Sequence, residues 1–298
     1  MSDVVKTTVI GSYPVEINVQ DLASKYFNQE EFNWNKYILS AINDMQKAGI
    51  DTVSDGQTRD SFTNIFLRKL AGCRIRQRPE VYEKISYKQT ITVDDIVYVK
   101  KNLEKDHNVI GLLAGPYTLM KSCVDLFYNN EKQLAFEISE ALNKEALALQ
   151  KHVDIISVDE PFFSVSYPDY AKELINNVLK NIKVTKRLHV CGDVGNIIAD
   201  LLDLPVDILS HEFKASSSLL DKFKEYKINK KICLGSVRSD DLYIENVDEI
   251  KDHIKKAINI FDSKICQISP DCGLRLLPRD VAFQKLKNLV QAKVDIYG

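Results

Sequence analysis

The sequence predicts a single-domain (β/α)8 barrel, a TIM barrel, over residues 1–298. Eight short strand-like apolar runs alternate with helical patterns along the chain, an order that favours one barrel over an open doubly wound sheet. Polar and sulfur-bearing residues gather where those runs end, and the C-terminal strand ends are where such barrels build their sites. No G-x-G-x-x-G or G-x-x-x-x-G-K-[ST] segment opens a helix, so nucleotide-binding alternatives lack their usual marker.

In chain order, the first run is Thr7 to Ser12, β-branched and closed by Gly11-Ser12 and Pro14. A helix is predicted from Asn33 to Gly49: Trp34, Tyr37, Ile38, Ala41, Ile42, Met45 and Ala48 keep helical spacing, and Gly49 suits the position past its end. Ile50 to Ser54 is the second strand, opening into the polar loop Asp55-Gly56-Gln57 to Asp60 ahead of the apolar Phe62 to Leu70. Residues from about 73 to 107 are charged, Tyr-rich and weakly periodic. They read as an insertion after the second βα unit, covering the barrel mouth or its side.

Val109 to Pro116 is a fully apolar run of the buried parallel type, with a helix from Gln133 to Gln150 after it. Asp154 to Val158 ends in Asp159-Glu160-Pro161 before a helix from Tyr170 to Ile182. Leu188 to Cys191 ends in Gly192-Asp193, with Asp193 expected to cap a helix from Val194 to Leu202. Val206 to Ser210 leads into His211-Glu212 and a helix from Leu219 to Tyr226. Lys231 to Gly235 leads into a loop with Asp240 and Asp241, then a helix from Val247 to Phe261. Ile265 to Ile268 ends in Ser269-Pro-Asp-Cys-Gly273, ahead of a helix from Arg279 to Val290.

The 40 basic and 42 acidic residues leave a net charge of −2 and are spread along the chain, which gives no electrostatic footprint for nucleic acid. No run approaches the roughly 20 apolar residues of a membrane span, and the N-terminus lacks a signal peptide's apolar run. A cytoplasmic protein with no membrane partner is expected. Six cysteines in such a chain are not a disulfide framework, so Cys73, Cys123, Cys233 and Cys266 are expected as buried thiols.

Cys191 and Cys272 carry a further reading. Side chains alternate along a strand, so His189 and Cys191 point the same way. With Cys272 at another strand end they make a His/Cys/Cys set suited to zinc, and a site with a position left for exchange is a catalytic one. The alternative for a His-x-Cys pair is core packing.

These residues resemble the C-terminal catalytic barrel of cobalamin-independent methionine synthases, in particular the short single-domain "core" forms. The resemblance runs from Ile10-Gly-Ser12 to Ser269-Pro-Asp-Cys-Gly-Leu274, the last motif being the most specific. It implies zinc held by His189, Cys191, Glu212 and Cys272, with His211 as the alternative to Glu212, and methyl transfer to the thiol of homocysteine to give methionine. It further implies that the backbone of Ile10, Gly11 and Ser12 meets the substrate carboxylate and that Asp159 meets the ammonium. Without the family, Asp159-Glu160-Pro161 also reads as a capped turn. Where the family often has Glu in the second loop this chain has Gln57, which supplies no charge and leaves more of the ammonium recognition to Asp159.

Two departures bear on the methyl donor. Folate-using members carry a Trp after a Gly-Pro-x-Thr segment, and here the aligned residue is Ser122 in Gly115-Pro-Tyr-Thr-Leu-Met-Lys-Ser122. They also carry a proton-donating His after the seventh strand, whereas 235–247 has no His and the aligned residue is Asp240, which with Asp159 is a candidate catalytic residue. The expected donor is therefore methylcobalamin or a methylated corrinoid protein, with a methyl-tetrahydrofolate as the alternative. His-Val-Cys-Gly is also similar to a segment of corrinoid-dependent coenzyme M methyltransferases, which keeps a different thiol acceptor open. A decarboxylase on a related barrel and a zinc-binding regulatory or storage protein are the rivals from other classes.

Overall fold

The structure is a computed structural model that describes residues 4–27, 32–104 and 107–298. Its strands are β1 (Lys6–Thr7), β2 (Thr52–Val53), β3 (Ala71–Ile75), β4 (Pro79–Ser86), β5 (Asn108–Ala114), β6 (Val124–Asp125), β7 (Ile155–Asp159), β8 (Thr185–Val190), β9 (Ile208–His211), β10 (Lys231–Val237) and β11 (Ile265–Pro270). Eight of them form one parallel sheet in the order β1-β11-β10-β9-β8-β7-β5-β2. A bridge between Thr8 and Thr52 brings its edges together, and the Asp51 carboxylate accepts from the Thr7 amide at 2.7 Å at the same seam. All eight strand-like runs of the sequence lie in this (β/α)8 barrel.

Alternation along the strands sorts their side chains into two environments. Val109 and Leu113 of β5, Ile156 and Val158 of β7, Leu188 and Val190 of β8, and Leu209 of β9 join the large core between sheet and helices. Their neighbours form a separate interior: Ile110, Leu112 and Ile155 make one small apolar cluster, and Ile10, Ile208 and Cys233 another. Ser157, Asp159, Arg187, His189 and Ser210 share the parity of that interior and are all buried.

The helices end where local chemistry ends them. Trp34–Ala48 stops at Gly49, whose φ of 84° is left-handed and whose amide returns to the last turn. Asn130 caps Glu131–Leu149, and Asn246 with Glu249 forms a capping box on Val247–Phe261. The last helix runs Arg279–Tyr297, beyond its predicted end. One cap is corrected: the helix after β8 spans Ile198–Leu202, and Asp193 does not cap it. Gly192, at φ 82°, turns the chain there, and Asp193 accepts from the Gly195 amide within that turn and pairs with Lys222. Residues 73–107 contain most of an antiparallel hairpin, β3–β4, which β6 extends to a three-stranded sheet, and the helix Val93–Asn102. Glu145 secures that helix by accepting from the amides of Ile91 and Thr92.

Candidate active site

β8 carries the first two prongs of the site. His189 and Cys191 lie on the interior side, with His189 Nε2 3.0 Å from Cys191 Sγ. Cys272, following β11, brings its Sγ to 2.7 Å from that of Cys191. The three donor atoms all lie within 4.8 Å of one another, and the cysteines are free thiols. Ser210 Oγ, 3.0 Å from His189 Nδ1, fixes the ring so that Nε2 is the nitrogen presented to the sulfurs. Burial first, and then the nearby Arg187 charge, holds the imidazole pKa well below its usual value, so His189 is the neutral base a metal requires. The hydrogen bond to Cys272, then burial, raises the Cys191 thiol.

The end of β9 sets His211 and Glu212 on opposite sides of the sheet. His211 shares the parity of Leu209 and turns outward, packing on Phe213 and Phe223 with Nδ1 at 3.2 Å from the Val190 carbonyl. Glu212 shares the parity of Ile208 and Ser210. Its carboxylate faces the Gly192 amide and both the Cys191 and Cys272 thiols, while burial raises its pKa. Two thiols and an oriented neutral imidazole make a donor group that could hold a soft divalent ion, with the Glu212 carboxylate near the sulfurs.

A cavity of about 310 Å³ opens beside this cluster. Ile10, Gly11 and Ser12 line it together with Gln57, Asp159, His189, Cys191 and Cys272. Gly11 turns at φ 49°, and Gly56 and Gln57 at 68° and 44°, so two successive left-handed residues aim the Gln57 side chain. Both Gln57 side-chain polar atoms are buried without a hydrogen-bond partner. Buried amides are nearly always satisfied, and this one lines the cavity with its hydrogen-bonding capacity unused by the described residues.

Asp159 lies opposite, with Ser157 Oγ donating to it at 2.8 Å. Burial raises its pKa to about 6, against the pull of Arg187 and Ser157. Arg187 itself is fully buried beneath the cavity. Its Nε donates to Ser157 Oγ at 3.1 Å, Nη2 to the Val9 carbonyl at 3.3 Å and Nη1 toward Gln267. No sequence motif marks this arginine; its strand parity with His189 is the one signal that places it on the same face. Phe62, Arg275 and Leu276 also line the cavity unanticipated, and Arg275 donates to the Thr58 carbonyl at 2.9 Å, joining two loops over it.

Other expected positions lie elsewhere. Glu160, next to Asp159, turns away and takes the amides of Tyr117 and Thr118, capping Pro116–Lys121 through the space Gly115 leaves. Asp240 is outside the cavity lining: its side chain is 63% exposed and paired with Arg238 at 2.9 Å, which lowers its pKa. Ser122 closes the helix Pro116–Lys121, its Oγ bonded to the Thr118 carbonyl. Tyr117 is buried, with its hydroxyl on Ser166.

A closed parallel barrel with a His/Cys/Cys cluster and a buried carboxylate at its C-terminal mouth defines a barrel enzyme equipped for a soft metal and a small polar substrate. The family described as cobalamin-independent synthase, catalytic domain, matches residues 5–294. The chain belongs to that family. It is 37% identical to a methionine synthase of Methanocaldococcus jannaschii, covering 96% of this chain and 97% of the relative, and 31% identical to one of Methanothermobacter thermautotrophicus, over 96% and 98%. Its fold is similar to that of a B12-independent methionine synthase from Shewanella sp. W3-18-1 solved with selenomethionine: TM-score 0.83, 24% identity, 98% of each chain. A methyltransferase from Methanosarcina mazei also shares the fold, with a TM-score of 0.72, 18% identity and coverage of 100% and 95%. No helix of the described residues is long and apolar enough to cross a membrane.

Proposed function

We propose that the chain forms methionine by methylating homocysteine whose thiol is held at the His189/Cys191/Cys272 cluster, with zinc as the metal and Glu212 as the fourth, replaceable ligand. Family membership makes it a methyltransferase acting on the homocysteine thiol. The observation that carries the site reading is the placement of three soft donors in the same cavity as a buried carboxylate and a partnerless amide. A bound zinc would deprotonate a thiol that in water is mostly protonated at neutral pH.

The chain's own residues do the rest. Asp159 receives the substrate ammonium in a charge-assisted bond, and Gln57 accepts beside it through Oε1. The loop Ile10–Ser12 takes the carboxylate. Arg187 and Ser157 favour the ionised form of Asp159 from below against its burial, and Ile10, Phe62, Pro161 and Leu276 supply apolar surface in the same cavity. Asp240, its proton affinity lowered by Arg238, is unsuited to donate a proton at neutral pH.

For the donor we propose methylcobalamin or a methylated corrinoid protein consumed at the barrel mouth. A cobalt(I) corrinoid departs without a proton, whereas a folate amine needs one, and neither Asp240 nor Ser122 supplies the folate features. The family's description as cobalamin-independent favours the second reading, a methyl-tetrahydrofolate, with half-buried Phe162 or cavity-lining Phe62 as the aromatic surface. Methionine formation from homocysteine with methylcobalamin, a methylated corrinoid protein and methyl-tetrahydrofolate, alongside metal analysis, tests both parts. Turnover with only the folate would overturn the corrinoid donor, and turnover without bound metal would overturn the site.

A further inference from the structure

Glu212 and Cys272 reach the cluster from loops that follow β9 and β11, and β10 lies between those strands. Their relative position therefore has to be fixed across an intervening strand. Asp271 makes that link. One carboxylate oxygen accepts from the Lys214 amide at 3.0 Å and the other from the Ala215 amide at 2.7 Å, two and three residues after Glu212. Its own amide donates to the Val237 carbonyl at 2.8 Å, so Asp271 is also pinned to the end of β10. The side chain is fully buried.

The passage over β10 exists because Gly235 has no side chain. A Cβ at that position would overlap the Asp271 carboxylate and lie 2.5 Å from the His211 carbonyl oxygen. The turn that Asp271 grips is tight: Phe213 N bonds the His211 carbonyl at 3.0 Å, and Ser216 N bonds the Glu212 carbonyl at 3.0 Å. Phe213 is fully buried against Phe223 and Phe261, so the loop is anchored in the core independently of Asp271.

We propose that Asp271 is a positioning residue of the metal centre, clamping the 212–216 turn so that the Glu212 carboxylate meets the sulfur pair. This rests on the metal-site reading above. Groups that orient ligands typically govern metal affinity about 10–100-fold, and the clamp has the geometry for it: one carboxylate, two amides, and a cleared path over a strand.

The test uses Asp271→Asn and, as a smaller variant that strains nothing, Asp271→Ser. Two quantities are measured on the full chain: amide hydrogen exchange at Lys214 and Ala215 in metal-free protein, and cobalt(II) affinity by chelator competition with the visible absorption spectrum. Faster exchange at those two amides, affinity about 10–100-fold weaker and a changed cobalt spectrum are expected in at least the Ser variant. In a Glu212→Ala background, Asp271→Ser should cost little further affinity, because it acts through Glu212. Unchanged exchange, or an undiminished effect in the Glu212→Ala background, would overturn the proposal while leaving wild-type metal binding intact. Wild-type protein that binds no cobalt would instead sink the metal reading, and the proposal with it.

Discussion

Cys191 and Cys272 stand 81 positions apart, yet their sulfurs lie 2.7 Å from each other. The strands that precede them, β8 and β11, are not neighbours: β9 and β10 lie between them in the sheet. The curl of the sheet through β9 and β10 turns the two strand ends toward a common interior, where the thiols meet. Cys191→Ser or Cys272→Ser should therefore abolish zinc binding and turnover while circular dichroism and the cooperativity of unfolding stay unchanged, since the cluster closes no core. Metal analysis of the purified variants checks this, and a Cys272→Ser protein with full zinc and full turnover would remove the sulfur pair from the site.

Asp159→Asn should raise the KM for homocysteine and leave metal content in place. A hydrogen bond to a charged group contributes about 1.5–3 kcal/mol, so the increase should be at least tenfold. The wild-type pH dependence follows from the pKa of about 6. As pH falls through that value Asp159 gains a proton, loses its charge and loses the ammonium, so KM rises toward acid. The asparagine variant should lack this limb, which steady-state kinetics across the acid range would reveal.

Gln57 should show stability and binding moving in opposite directions. Its buried amide has no partner within the protein, so Gln57→Met removes an unmet desolvation cost of about 1–3 kcal/mol. Thermal unfolding should shift upward while the KM for homocysteine increases. A lower melting temperature with unchanged KM would mean the amide does not face the substrate.

With the donor varied at saturating homocysteine, methylcobalamin should outpace methyl-tetrahydrofolate, and Asp240→Asn should change the rate little because that carboxylate transfers no proton. Efficient methionine synthesis from the methylated folate in a corrinoid-free preparation would contradict the donor assignment.

Local signals carry most of the architecture. Val109 to Ala114 reads as a strand buried on both faces, and the two-residue spacing of His189 and Cys191 sets both on one face. What local patterns left out or misplaced has both non-local and local causes. β6 is just Val124–Asp125 and pairs with Glu80 and Val81, a contact more than forty residues away that no periodicity announces. Asp193 looked like a cap because its residue type suits one, but the left-handed turn at Gly192 used it four residues too early. Arg187 was invisible as a site residue because a buried arginine in a barrel interior leaves no compositional trace. Asp240 rests on alignment alone, and alignment does not show its pairing with Arg238 two residues away.

In the proposed reaction homocysteine enters as a ligand of the metal. Zinc-edge X-ray absorption, recorded on the protein alone and after adding homocysteine, reads that ligation. Two sulfur neighbours, from Cys191 and Cys272, are expected in the free enzyme, and a third sulfur, replacing an oxygen or nitrogen neighbour, once homocysteine is bound. A sulfur count that stays at two with saturating substrate would rule out ligation of the metal by the substrate thiol.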